Sequence, residues 1–231
     1  MQTIYEDGTY LRNNPTWGHE DAHWKAMQVV KIIENNNLKP RSICDIGCGV
    51  GEVLKILADL YDDSVKLDGF EISRYALEIC EEKVRDNLRF YHQETFAKDH
   101  KVYDIIMAID VLEHVEDCFS FLRSLKDRGR YKIFHIPLEL SAQSVLRVSP
   151  LLKERREVGH IHYFTRETAL ATVEDAGYKI IDWFYTSRST ELPVKGWKAN
   201  LMRMPRKMFY RANRDIAARL LGGYSLLVLA S

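Results

Sequence analysis

The chain reads as an α/β protein built on a largely parallel sheet, with helices on both faces and a ligand site at the carboxyl ends of its strands. Three observations predict this. Short apolar runs at 42–46, 65–70, 88–92, 104–110 and 131–136 alternate with stretches of helical period at 51–58, 74–85 and 118–125, which is the pattern of βαβ units. The first run, Ser42-Ile-Cys-Asp-Ile-Gly-Cys-Gly-Val-Gly51, passes straight into a turn with glycines at 47, 49 and 51, so backbone N–H groups can approach a ligand closely. An acid, Glu71, follows the second run, where a carboxylate can take the hydroxyls of a ribose.

The remaining elements follow from periodicity and breakers. Residues 20–36 carry Ala22, Ala26, Val29, Val30 and Ile33 at helical spacing and end in Asn35-Asn-Asn37, so a helix should pack on the sheet ahead of the first strand. After the fifth strand the rhythm lapses, and residues 137–157 read as an irregular-to-helical addition. A helix over 165–176 can take Thr165 as its N-cap, with Thr168 unable to supply the carboxylate of a full capping box. Gly177 stops it, 178–185 reads as a sixth strand and 224–230 as a seventh. Between these two strands Pro205 is expected to open a helix over 204–221. In it Met208, Ala212, Ile216 and Leu220 recur every four residues, with arginines at 206, 211, 214 and 219 on other faces.

Gly47-x-Gly-x-Gly51 is not the Gly-x-Gly-x-x-Gly of dinucleotide binding. With Asp45 it resembles the cofactor loop of class I S-adenosylmethionine-dependent methyltransferases. Tyr103-Asp-Ile-Ile-Met-Ala-Ile-Asp-Val-Leu-Glu-His-Val115 is similar to that family's fourth strand and following loop, and its Leu-Glu-His ending resembles the branch that methylates small molecules and quinone-type lipids. Lys126-Asp-Arg-Gly-Arg130 departs from the Pro-Gly-Gly turn usual before the family's fifth strand. The resemblance implies a Rossmann-like, seven-stranded mixed sheet with the seventh strand antiparallel between the fifth and sixth. It also implies a single domain over 1–231, with an N-terminal arm at 1–19, an acceptor-pocket addition at 137–163 and a helical insertion at 187–222.

The same resemblance makes S-adenosyl-L-methionine the expected cofactor and S-adenosyl-L-homocysteine the product. Asp45 would meet the amino group, Gly47, Cys48 and Gly49 would let the backbone approach, and Glu71 would take both ribose hydroxyls, with Ile72 against the adenine. Glu94, Thr95 and Phe96, after the third strand, are candidates around the adenine, Glu94 for its amino group and Phe96 for its ring. Asp110 is expected to face the crevice between cofactor and acceptor. Tyr10 and Trp17 in the aromatic N-terminal arm are lid candidates, with anchoring of the arm on the core as the competing role for Trp17. An aromatic face would also attract the sulfonium.

Methyl transfer is an in-line displacement that needs alignment and dryness, and a hydroxyl acceptor also needs somewhere to leave its proton. Gly159-His-Ile-His-Tyr-Phe-Thr165 resembles the acceptor-pocket segment of small-molecule branches. In an extended chain His160 and His162 would share one side. His160 is the candidate base with a structural hydrogen bond as its alternative, Tyr163 a pocket wall or hydroxyl donor, and His114 a residue shaping the pocket. His135 should be packed and Glu139 at the rim. No metal is expected, because the His-x-His pair has no identified carboxylate partner. O-methylation of a small molecule leads, with RNA methylation or a lipid-linked acceptor as alternatives.

Composition narrows the partners. No run reaches the ~18 apolar residues of a spanning helix, and four scattered cysteines form neither a disulfide framework nor paired zinc clusters, so a soluble, cytoplasmic protein is expected. Neutrality overall hides formal charges of −10 in residues 1–120 and +10 in 121–231. Eight basic residues and one acid, Asp215, lie between Lys195 and Arg219. An anionic or amphiphilic acceptor, or peripheral contact with an acidic membrane, would use such a patch, and a solvated helix face is the alternative. DNA is not expected. RNA is disfavoured because no separate RNA-binding module and no Asn-Pro-Pro-Tyr-like sequence after Asp110 is present. A monomer or a homodimer is equally compatible with the chain.

Overall fold

The computed structural model describes residues 8–14, 16–17, 19–98, 100–192 and 197–231. Parts of the expected arm, residues 1–7, 15 and 18, and residues 193–196 of the insertion lie outside the described residues. Seven strands form one sheet in the order β3-β2-β1-β4-β5-β7-β6: β1 Ser42–Ile46, β2 Lys66–Glu71, β3 Leu88–His92, β4 Tyr103–Ile109, β5 Gly129–Leu138, β6 Ile180–Thr186 and β7 Tyr224–Ala230. All neighbours are parallel except β7, which runs antiparallel between β5 and β6. The strand order reverses between β1 and β4, and in open α/β sheets that switch point is where a crevice opens at the strands' carboxyl ends.

Strand alternation divides the core between the two faces. Ile43, Ile105, Met107, Ile133, Leu227 and Leu229 face a cluster built with α2 (His19–Asn35) and α3 (Glu52–Leu60). Cys44, Ile46, Ile106, Ala108, Phe134, Ile136 and Val228 face the cluster that holds α6 (Cys118–Leu125) and α9 (Arg166–Asp175). The other helices, in chain order, are α1 (Thr9–Asn13), α4 (Arg74–Cys80), α5 (Gln93–Lys98), α7 (Ala142–Arg147), α8 (Ser149–Glu157), α10 (Arg188–Glu191), α11 (Trp197–Ala212) and α12 (Arg214–Leu221).

Several local readings change. The strand expected at 131–136 runs from 129 to 138, because pairing with β7 continues through Leu138 opposite Tyr224. Thr165 caps α9, and the reciprocal bond to its backbone comes from the Thr168 hydroxyl, which replaces the carboxylate of the usual box. The helix expected over 204–221 is instead two: α11 begins at Trp197, so Pro205 lies inside it, and Asn213 ends it by capping α12, its Oδ1 accepting from Ile216 N–H. Asparagine competes well as an N-cap and poorly in a helix interior, so the break falls there.

Candidate active site

The loop after β1 sets the first wall of the site. Gly47 sits at φ +76, and a Cβ there would stand 2.8 Å from Val111, so a side chain is excluded by both conformation and space. Glu71, at the tip of β2, is buried and ties this loop to the next strand: Oε2 accepts from Gly49 N–H at 2.8 Å, and Oε1 from Ile72 and Ser73 N–H at 2.8 and 2.9 Å. Burial pushes its carboxyl up, against the opposing pull of these N–H groups. Oε1 has therefore filled its two lone pairs within the chain, while Oε2 keeps one. One lone pair of Oε2 is thus left open toward a ligand.

Asp45, at 2% exposure, has an Oδ1 with no hydrogen-bond partner. Burial, reinforced by the nearby charge of Glu71, raises its pKa well above the carboxylate range. A cation placed here would relieve both the orphaned oxygen and the desolvation. Above the loop stand Tyr10 and Trp17, with ring centroids 4.8 Å apart. A Cβ at Gly49 would lie 3.7 Å from the indole, and Trp17 Nε1 is buried without an acceptor.

These groups enclose a cavity of about 410 Å³. Of the residues singled out by sequence, Tyr10, Trp17, Asp45, Gly47, Cys48 and Gly49 line it, and so do Glu71, Ile72, Asp110 and His114. Glu94, Thr95 and Phe96 do not. The chain enters α5 immediately after β3, so strand alternation gives way to a helical period. Gln93 is then the residue that lines the cavity, Glu94 and Thr95 are exposed, and Phe96 packs in the core against Phe70 at 5.1 Å, beneath the Arg128 guanidinium.

Asp110 faces the cavity at φ +55, a left-handed conformation uncommon outside glycine. Its oxygens are engaged by His135 Nδ1 at 2.5 Å and Lys25 Nζ at 2.9 Å. Burial alone would raise its pKa, but His135 and Lys25 outweigh that and hold the carboxyl well below its ordinary value. His135 is packed as expected, at 3% exposure, and its Nε2 bonds the Thr186 hydroxyl at 2.8 Å. Lys25 was missed in the sequence, although it falls with Ala22, Ala26 and Val29 on the apolar stripe of α2. A lysine on the buried face of a helix is a signal in itself.

Beyond Asp110 the loop 110–117 meets the segment 159–163. Glu113 carbonyl accepts from Ile161 and His162 N–H at 2.8 and 3.1 Å, which brings His160 beside His114, ring centroids 4.6 Å apart. His160 Nδ1 bonds Glu139 Oε1 at 2.7 Å. Burial and the neighbouring imidazole of His160 lower His114 to about 4. His162 does not join its neighbour: its Nε2 donates to Val115 carbonyl at 2.8 Å, so the two rings serve different partners. Tyr163 hydroxyl stands 3.1 Å from Leu151 carbonyl and 3.2 Å from His160 carbonyl, an anchor between α8 and the loop. The arm closes on this addition, Asn14 Nδ2 donating to Glu157 carbonyl at 3.2 Å.

Residues 20–182 match the methyltransferase-domain family. The chain belongs to this family. It therefore carries a methyltransferase domain. The chain is 28% identical over 137 residues to the magnesium-protoporphyrin O-methyltransferase of Synechocystis, covering 54% of this chain and 57% of that protein. It is 26% identical over 188 residues to the tRNA N(3)-methylcytidine methyltransferase Mettl2 of Drosophila melanogaster, covering 68% of this chain and 56% of that protein. The matches thus span little more than half the length of these relatives. The crystal structure of the Synechocystis magnesium protoporphyrin IX methyltransferase with bound SAH shares the fold, with a TM-score of 0.59 at 19% identity over 90% of this chain and 82% of that one.

The cavity fits the chemistry of S-adenosylmethionine, the methyl donor expected from the sequence. The orphaned Asp45 oxygen is suited to an ammonium, the open lone pair on Glu71 Oε2 to a sugar hydroxyl, and the Tyr10 and Trp17 rings to a cationic sulfur. When bound, the donor supplies an electrophilic methyl group.

Proposed function

We propose that this enzyme methylates an oxygen of a small-molecule acceptor, seated between the ends of β4 and β5 and enclosed by the N-terminal arm and residues 139–163. One observation carries the reading: the cavity that presents Asp45 and Glu71 at one side is walled by His114, and His114 is in ring contact with the His160–Glu139 pair. An acceptor hydroxyl must lose its proton as its oxygen attacks the methyl carbon and the carbon–sulfur pair returns to sulfur. Imidazoles beside carboxylates are suited to that near neutrality. Asp110 and Lys25 hold the floor of the pocket in one arrangement, which favours alignment over adaptability.

The test is a screen of phenolic, hydroxy-acid, sugar and lipid-like acceptors, read out as S-adenosylhomocysteine formed. Acceptor-dependent turnover with hydroxylic compounds supports the reading, and His160→Asn should lower kcat by about 10²-fold or more while cofactor affinity stays within about threefold. Turnover confined to amines, or to a tRNA transcript, would overturn it. The transcript belongs in the screen because the Drosophila relative is a tRNA methyltransferase and the second half of this chain is basic.

A further inference from the structure

The glycine loop holds a pair of sulfurs that methyl transfer does not use. Cys48 lies within the loop and lines the cavity, and Cys80 ends α4 with no exposure. Both reach one carbonyl: Cys80 Sγ donates to the Gly49 oxygen at 3.4 Å, and Cys48 Sγ stands 3.8 Å from it. The two thiols are also in hydrogen-bond contact with each other. Two glycines make the room for them. A Cβ at Gly69 would stand 2.8 Å from Cys48 Sγ, and one at Gly51 would stand 3.1 Å from Cys80 Sγ. Cys44 and Cys118 pack in the cluster on the opposite face of the sheet from the one Cys48 joins, so the sheet separates them from this pair.

We propose that Cys48 and Cys80 are a reversible oxidative modification site, at which a peroxide closes a disulfide across the glycine loop. Cys48 takes the first step because it borders the cavity, which a molecule the size of hydrogen peroxide can enter. As a thiolate it attacks one peroxide oxygen, the oxygen–oxygen bond breaks, and a sulfenic acid forms with release of one water. The Cys80 sulfur then attacks the sulfenic sulfur, the sulfur–oxygen bond breaks, and a second water leaves. In sum the two thiols lose two electrons and two protons, and hydrogen peroxide is reduced to two waters. A dithiol reverses the step by exchange. The hydrogen bond with Cys80, burial and the charges of Glu71 and Asp45 push the Cys48 thiol well above its ordinary pKa, so the attack is slow at neutral pH and gains speed as the solution becomes alkaline.

A disulfide needs its sulfurs about 2.05 Å apart, closer than two thiols in hydrogen-bond contact, so one partner must move. Gly47, Gly49 and Gly51 all stand at positive φ, and the loop they form yields more readily than α4, which packs on β2 and β3. Moving it draws Gly49 N–H away from Glu71 Oε2 and shifts the backbone beneath Trp17. The consequence rests on the S-adenosylmethionine reading: the oxidised loop binds the donor more weakly, and by reciprocity a bound donor opposes the disulfide by the same factor.

The experiment treats the full chain with hydrogen peroxide in mildly alkaline buffer, counts free thiols after denaturation and maps the cross-link by mass spectrometry. Two of the four thiols should disappear, joined as Cys48 to Cys80, in wild type and in Cys118→Ser alike, while Cys48→Ala and Cys80→Ala should form no internal cross-link. S-adenosylmethionine affinity, measured by calorimetry, should fall about tenfold or more in oxidised wild type and return with dithiothreitol. Cys48→Ala should keep its own untreated affinity through the same treatment. Four thiols remaining, or a cross-link through Cys44 or Cys118, would overturn the site, as would a loss of affinity that dithiothreitol does not restore, the mark of over-oxidised Cys48 alone. A cross-link formed with donor affinity unchanged would overturn the effect on the loop. Reduced wild type that binds no S-adenosylmethionine refutes the donor reading instead, and the thiol count and cross-link map decide the disulfide without it.

Discussion

Glu71 holds the glycine loop to the tip of β2 through three backbone N–H groups, and we propose that its one remaining lone pair takes a ribose hydroxyl of the cofactor. Removing it should undo both. Glu71→Ala is expected to weaken S-adenosylmethionine by about tenfold or more, since hydrogen bonds to a charged acceptor are worth roughly 1.5–3 kcal/mol, with the far-ultraviolet circular dichroism retained. Unchanged affinity in calorimetry would remove Glu71 from the ribose role. Asp110 yields a pH prediction. Its folded pKa lies below its unfolded value because His135 and Lys25 outweigh burial, so the stabilisation it contributes is complete above the unfolded pKa of about 4 and is lost as pH falls through the lower folded value. Melting temperature recorded from pH 7 down to 3 should therefore fall more steeply in wild type than in Asp110→Asn. Parallel curves would mean that the pair with His135 carries no net stability.

At the level of elements, the entry to α3 and the helices before β7 are the informative places. Gly51 caps α3 at φ +76, and a Cβ there would stand 2.5 Å from the Phe90 ring. Gly51→Ala should cost roughly 2 kcal/mol from the left-handed conformation and overpacking together, read by urea denaturation with an unchanged slope. The helices α11 and α12 expose Met204, Met208, Ile216 and Leu220, and α7 exposes Leu146 at 85%. Arg211, Arg214 and Arg219 stand among them, also exposed. The stripe read from the sequence is thus largely turned to solvent, while Ala217 and Ala218 make the buried contact. If this face lies on an anionic membrane, co-sedimentation with anionic but not neutral vesicles should occur and should fall in the Lys207→Gln/Arg211→Gln variant. Arg206 is left intact because its guanidinium caps α12 at the Leu221 carbonyl, 2.6 Å away. Failure to bind either vesicle would leave the exposed stripe to a protein contact.

Taken as a whole, the described elements hang on one sheet whose two faces share every strand, and we propose that the chain melts as one cooperative unit. A single calorimetric transition with equal calorimetric and van't Hoff enthalpies is expected, and two resolved transitions would show that the insertion folds apart. Among the described residues no helix is long and apolar enough to cross a membrane.

The sequence by itself determined the βαβ rhythm, the switch-point loop and the acids at its strand tips, because periodicity, glycine and strand-end chemistry are local properties. It also placed β7, through resemblance to a known family. Tertiary structure alone decided which side chains meet. Lys25 reached Asp110 across α2, Gln93 displaced its neighbours at the cavity when the chain turned helical after β3, and His162 turned away to Val115. Glu113 stood in plain view in the sequence as part of a family mark, yet nothing local showed that it would be buried without a partner. That followed only when its carbonyl drew the 159–163 segment over the loop and set His160 beside His114. Long-range contacts of this kind depend on the summed packing of the whole sheet, which no window of sequence contains.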